Sequence, residues 1–137
     1  MGMYVSVRGW LEVDRKQQHQ VEKVIDRHRH DLYSGGWAFP AAPFNWTLYV
    51  FYGGDLRESE IGWFRDQLSE LATLPPVDDD LDLPAGLFLL SDERQTSTLW
   101  TVRNGQVEET PAPPDLHWFA LRPEVLRVEG RPEFFQS

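Results

Sequence analysis

Residues 3–13 alternate along the chain. Met3, Val5, Val7, Leu11 and Val13 fall on one side with Gly9 among them, and Tyr4, Ser6, Arg8, Trp10 and Glu12 fall on the other. A period of two is the mark of a strand with one buried face. Asp14 then offers a carboxylate to the free amides of a helix start. Val21, Val24, Ile25, His28 and Leu32 recur at helical spacing, which predicts an amphipathic helix over 15–31. The run from Trp46 to Tyr52 is apolar at both parities, the pattern of a strand inside a sheet, with Trp46 expected in the core. Gly53-Gly54-Asp55 is expected to end it. Ile61, Phe64, Leu68 and Leu71 predict a second helix over 58–73, closed by Leu74-Pro75-Pro76. Trp63 lies about 200° round that helix from Ile61, outside the buried stripe.

Gly86–Leu90 reads as a third strand and Thr98–Arg103 as a fourth. Asn104-Gly105 turns it into a fifth over Gln106–Thr110, a strong hairpin signal. Between the elements lie an aromatic loop over Tyr33–Phe44, holding Gly35-Gly36, Pro40 and Pro43, and an acidic loop over Val77–Leu83. Prolines at 111, 113, 114, 123 and 132 predict an extended C-terminal arm with a short helix near 123–127. The order β-α-β-α-β-β-β predicts an α+β two-layer sandwich: one mixed sheet of about five strands with two helices on one face. Residues 1–137 form a single domain in this reading, with the core over 3–110 and the arm over 111–137. The other face of the sheet is then either open or covered by the aromatic loop and the arm.

Composition narrows the function classes. With 137 residues, 41% of them hydrophobic, the chain is long enough for one core without metal or disulfide support. The absence of cysteine excludes a disulfide scaffold, a thiol nucleophile and any cysteine-ligated metal. The net charge is −9, and it is uneven. Seven basic residues stand against six acidic ones over 1–57, and six against sixteen over 58–137. Such a surface repels nucleic acid and attracts a basic protein. No apolar run approaches the ~20 residues of a membrane span, so the expected setting is the cytoplasm, away from the membrane.

Candidate chemistry is sparse. Asp78, Asp80 and Asp82 have the spacing of a calcium loop, but Leu83 and Leu89 stand where that loop needs Gly and Glu. His28 and His30 lie about 200° apart on a helix and cannot share a metal there. His19 and His117 have no partner at ligand spacing. Neither glycine pair sits in a phosphate-binding motif. These readings predict no catalytic residue, no cofactor and no metal. A catalytic histidine paired with a distant carboxylate stays open, because such partners meet only in the fold. The six tryptophans are the least ordinary feature. Tryptophan serves as core filling or as a rigid interface anchor.

Three segments carry a family resemblance. Arg8-Gly9-Trp10, the run Gly86-Leu87-Phe88-Leu89-Leu90-Ser91-Asp92-Glu93, and Leu99-Trp100-Thr101-Val102-Arg103-Asn104-Gly105-Gln106-Val107-Glu108-Glu109 resemble immunity proteins of bacterial polymorphic toxin systems, nearest to immunity-protein family seven. The likeness spans about residues 4–110, with Arg8 where the family has histidine. It implies a small, non-catalytic α+β antitoxin that binds a cognate toxin domain with a basic active-site region. On this reading the partner-binding residues are Asp78, Asp79, Asp80, Asp82, Asp92 and Glu93 as an electrostatic rim, with Trp10 and Trp63 as anchors. Two other classes stand beside it: a small enzyme or ligand-binding protein with a pocket under the 33–44 loop, and a homodimer that buries the aromatic face against itself.

Overall fold

The computed structural model describes residues 3–41, 45–77 and 82–119. The elements are β1 (Tyr4–Asp14), α1 (Gln18–Arg27), β2 (Trp37–Ala38), β3 (Thr47–Arg57), α2 (Ile61–Ala72), β4 (Ala85–Asp92), β5 (Ser97–Arg103) and β6 (Gln106–Pro111). They form a two-layer α+β sandwich, one open six-stranded sheet of order β2-β3-β1-β4-β5-β6 with both helices on one face. The expected mixed sheet is corrected: every neighbouring pair is antiparallel. The β-α-β alternation does make β3 and β4 run the same way. β1 lies between them, paired antiparallel to both, so the two parallel strands never touch.

The alternation in β1 sets the layers. Val5, Val7, Leu11 and Val13 point into the core beside Leu48, Val50, Tyr52 and Leu56 of β3, and Phe88 and Leu90 of β4. Val21 and Val24 of α1 and Phe64, Leu68 and Leu71 of α2 close this core from above. Phe64 is its hub, with its ring centroid 4.7 Å from Tyr52 and 5.5 Å from both Trp37 and Phe88. Gly9 lets β1 and β4 approach: a Cβ there would lie 2.2 Å from the Leu87 carbonyl oxygen and 2.6 Å from Phe88 Cα.

Asp14 caps as expected. Its Oδ1 accepts from the Lys16 amide at 2.8 Å, and the Gln17 side chain accepts from the Asp14 amide at 3.0 Å, a complete capping box. The first helix is shorter than its apolar spacing predicts. It starts with a 3₁₀ turn over Arg15–Gln17 and stops at Arg27, leaving Leu32 75% exposed. Beyond it, the His30 amide donates to Ser34 Oγ and the Leu32 amide to His30 Nδ1. These local bonds give the backbone an alternative to helix.

β3 departs from expectation in two ways. It runs on through Gly53 and Gly54 to Arg57, held by register with Arg8, Val7 and Tyr4 of β1. The glycines do not break the strand, and the close approach on this side is made at Gly36. A Cβ on Gly36 would sit 2.7 Å from both the Gly53 carbonyl oxygen and the Tyr52 ring. Trp46 is not in the core. It precedes the strand and is 69% exposed. The aromatic loop contributes β2 as a two-residue edge strand, so six strands stand where about five were predicted. Asn104 and Gly105 take φ of 54° and 75° and form the expected two-residue turn between β5 and β6. The arm begins later than predicted, since Pro111 still pairs in β6, and Pro114–Phe119 forms a 3₁₀ helix. The short helix expected near 123–127 lies outside the described residues.

Candidate interaction surface

With α1 and α2 on one side, no helix of the described residues packs as a layer on the other side of the sheet. Its residues are the second parity of each strand. Trp10 lies between Phe51 of β3 and Leu87 of β4, Arg8 between Gly53 and Leu89, and Glu12 between Tyr49 and Ala85. Tyr49 is 43% exposed and Phe51 46%, and their rings stack at 6.3 Å. Trp10, Leu87, Leu89 and Leu99 are half-buried on the same face. Most soluble surfaces scatter single apolar side chains; a contiguous patch marks a binding surface.

Two hollows border this patch. At the end where β1 finishes and β3 and β4 begin, a cleft of about 220 Å³ is lined by Glu12, Asp14, Asp82, Trp46, Val77 and Leu83. Its rim is exposed and apolar, and its polar groups include three carboxylates. Two of them are held in place: Glu12 Oε2 accepts from Trp10 Nε1 at 2.8 Å, and Asp14 caps the helix turn. The second hollow is a wide depression of about 630 Å³ bounded by Arg8, Trp10, Phe51, Leu89 and the backbone of Gly36 and Gly53. Beneath residues 33–41, aromatic rings fill the space. Trp37 is 9% exposed, meets Tyr52 edge-on at 4.9 Å, and donates from Nε1 to Gln67 Oε1 at 3.2 Å.

The sequence-predicted partner residues divide. Trp10 and Asp82 lie on the open face and its end cleft. Asp78, Asp79 and Asp80 fall outside the described residues. Asp92 and Glu93 lie at the far end of β4, as their flanking of the Gly86–Leu90 run predicts. Asp92 is mostly buried and structural there: its Oδ1 accepts from the Arg94 and Thr96 amides at 2.9 Å each, shaping the β4–β5 turn. Glu93 is exposed and accepts from the Tyr4 amide.

Trp63 is a correction. Its helical angle predicts exposure, but the ring is half-buried against the core and against His30 and Tyr33. Its Nε1 donates to the His28 carbonyl at 2.5 Å. α1 and the turn after it cover the side of α2 that a single-helix wheel counts as outside. Sequence reasoning also missed Tyr49, Phe51 and Trp46, because an apolar run at both parities reads as a strand buried on both faces.

Two histidines, His28 and His30, pair with carboxylates on the helical side. His28 Nε2 lies 2.8 Å from Glu70 Oε1, and Glu70 also pairs with Arg27. His30 Nε2 lies 3.8 Å from Glu60. Neither pair opens into the open-face hollows. Among the described residues, no three histidine, aspartate or glutamate side chains gather in metal-binding geometry. Among them too, no helix is long and apolar enough to cross a membrane. Burial and the neighbouring Tyr33 raise the Tyr52 phenol well above its usual pKa, and its hydroxyl donates to the Tyr33 carbonyl at 2.7 Å. No protein-family model, curated protein or solved structure matches the chain.

Proposed function

We propose that this chain is a non-catalytic binding protein of the immunity type, which neutralises a cognate bacterial protein toxin in the cytoplasm by covering its active-site region. The observation that supports this most is the sheet face opposite α1 and α2, where exposed Tyr49 and Phe51 adjoin Trp10 and a carboxylate-lined cleft. Aromatic anchors of this kind carry binding energy, and surrounding acidic groups speed the encounter with a basic target. Asp82 supplies that field at one end of β4, and Glu93 at the other. The family resemblance of Arg8-Gly9-Trp10 and the β4–β6 segment points the same way.

The test is co-expression. The toxin domain encoded beside this chain's gene is expressed in bacteria with and without it. Cells are expected to survive only with the chain present, and the purified pair is expected to form a stable complex without chemical change to either protein. Death in both cases, or protection that depends on turnover of a small molecule, would contradict the proposal.

The depression beside the 33–44 loop favours one second reading, a binder of a flat apolar ligand carrying an anionic group toward Arg8. Its wide mouth makes it a poorer enclosure than ligand sites that bury most of their ligand's surface.

A further inference from the structure

Resting on that binding role, we infer where the partner docks and what it presents. The β1–β3 half of the open sheet face takes a basic protein segment. An apolar side chain packs on Trp10, Tyr49 and Phe51, and an arginine or lysine enters the end cleft between Glu12, Asp14 and Asp82.

Three observations carry this. First, the apolar patch and the cleft are continuous. Glu12 belongs to both, as cross-strand neighbour of Tyr49 and hydrogen-bond acceptor of Trp10. Second, the charge is polarised along the face. Carboxylates line the cleft, while Arg8 is the cationic member of the patch itself. A partner with a cation at one end of an apolar stretch fits this in one orientation only. Third, the cleft rim includes Trp46, 69% exposed, whose ring face attracts a guanidinium or ammonium.

A second copy of the chain fits poorly. Sheets in the aligned class of face-to-face stacking keep their strands within about 30° of parallel or antiparallel. In one orientation the cleft meets its own copy. In the other it meets the end bearing Asp55 and Arg57. The first arrangement sets carboxylates against carboxylates, and in both the two chains of net charge −9 each repel overall. Residues 120–137 carry three arginines and three glutamates, so the arm's own charge cancels and offers the cleft no net attraction.

The probe is a random peptide library displayed on phage and selected against the immobilised full chain. The selected peptides are expected to combine an arginine or lysine with an aromatic or large aliphatic residue. Their affinity should fall about tenfold or more in Phe51→Ser with Tyr49→Ser. It should fall several-fold, with a weaker salt dependence, in Glu12→Gln with Asp82→Asn. Lys23→Ala, on the exposed side of α1, should leave it unchanged. The carboxamide pair conserves shape, so it tests the site even if the serine variants fold poorly. Several results would overturn the inference: no enrichment, peptides without basic residues, or affinity indifferent to both variant pairs. So would a dimer by light scattering that Phe51→Ser dissolves, or tighter peptide binding in Phe134→Ser with Phe135→Ser, which would make the arm the occupant. If the cells are protected while the peptides fail, the immunity role stands and the docking surface is wrong.

Discussion

Trp10 and Glu12 stand two residues apart on the open face of β1, and the indole Nε1 donates to the Glu12 carboxylate at 2.8 Å. The bond fixes an aromatic ring against the carboxylate that borders the acidic cleft. A ring held before binding loses little freedom when a partner covers it. Trp10→Phe keeps an aromatic ring at the position and removes the bond. Its stability is expected to change by less than about 1 kcal/mol, a typical net value for one hydrogen bond. Dissociation from the cognate partner is expected to speed up several-fold, measured by surface-based kinetics. Unchanged dissociation would remove Trp10 from the interface.

Gly9 controls how closely the central strands meet. An added methyl would strike the Leu87 carbonyl and Phe88 Cα, both backbone, so no side chain can turn away to make room. Gly9→Ala is expected to destabilise the fold by about 3 kcal/mol, the upper range for overpacking. Gly53→Ala, where nothing lies within 4 Å, is expected to shift stability little. Urea unfolding of the two variants compares them directly.

Trp37 and Gln67 form a buried polar pair. Gln67 is fully buried and its Nε2 has no partner. Trp37→Phe strands the remaining amide oxygen as well and is expected to cost about 1–3 kcal/mol. Adding Gln67→Leu to Trp37→Phe removes every stranded group and is expected to restore much of the loss. Additive losses in a double-mutant cycle would contradict the pairing.

Tyr52 sets an alkaline limit. Its folded pKa is raised by burial and by Tyr33, so the folded chain holds the phenol proton more tightly than the unfolded chain does. The contribution is complete below the unfolded value of 10.0 and is lost as pH climbs above it. Wild type is expected to lose stability from about pH 10 upward. Tyr52→Phe should lose less over that range, although it gives up the bond to the Tyr33 carbonyl at neutral pH. Parallel alkaline unfolding curves would contradict this.

The layers were legible because β1 alternates cleanly and α2 carries a single apolar stripe. The hairpin was legible because Asn104-Gly105 suits positive φ. Strand order was not, since local periodicity does not say that β1 inserts between β3 and β4. The same gap hid the site. Trp46, Tyr49 and Phe51 look like core until both helices are placed on one face. Trp63 looks exposed until α1 and its following turn are packed against α2. Of the predicted rim, Asp82 could be followed to a cleft, whereas Asp92 turned out to spend its carboxylate on the β4–β5 turn.

The most direct test of the account is amide hydrogen exchange of the chain alone and in complex with the toxin domain proposed as its partner. New protection is expected in β3 over 47–51 and in β1 over 10–14, with the exposed side of α1 unchanged. Protection confined to α1, α2 or the turn at 93–96, with β1 and β3 indifferent to the partner, would contradict the claim that the open sheet face is where this protein binds.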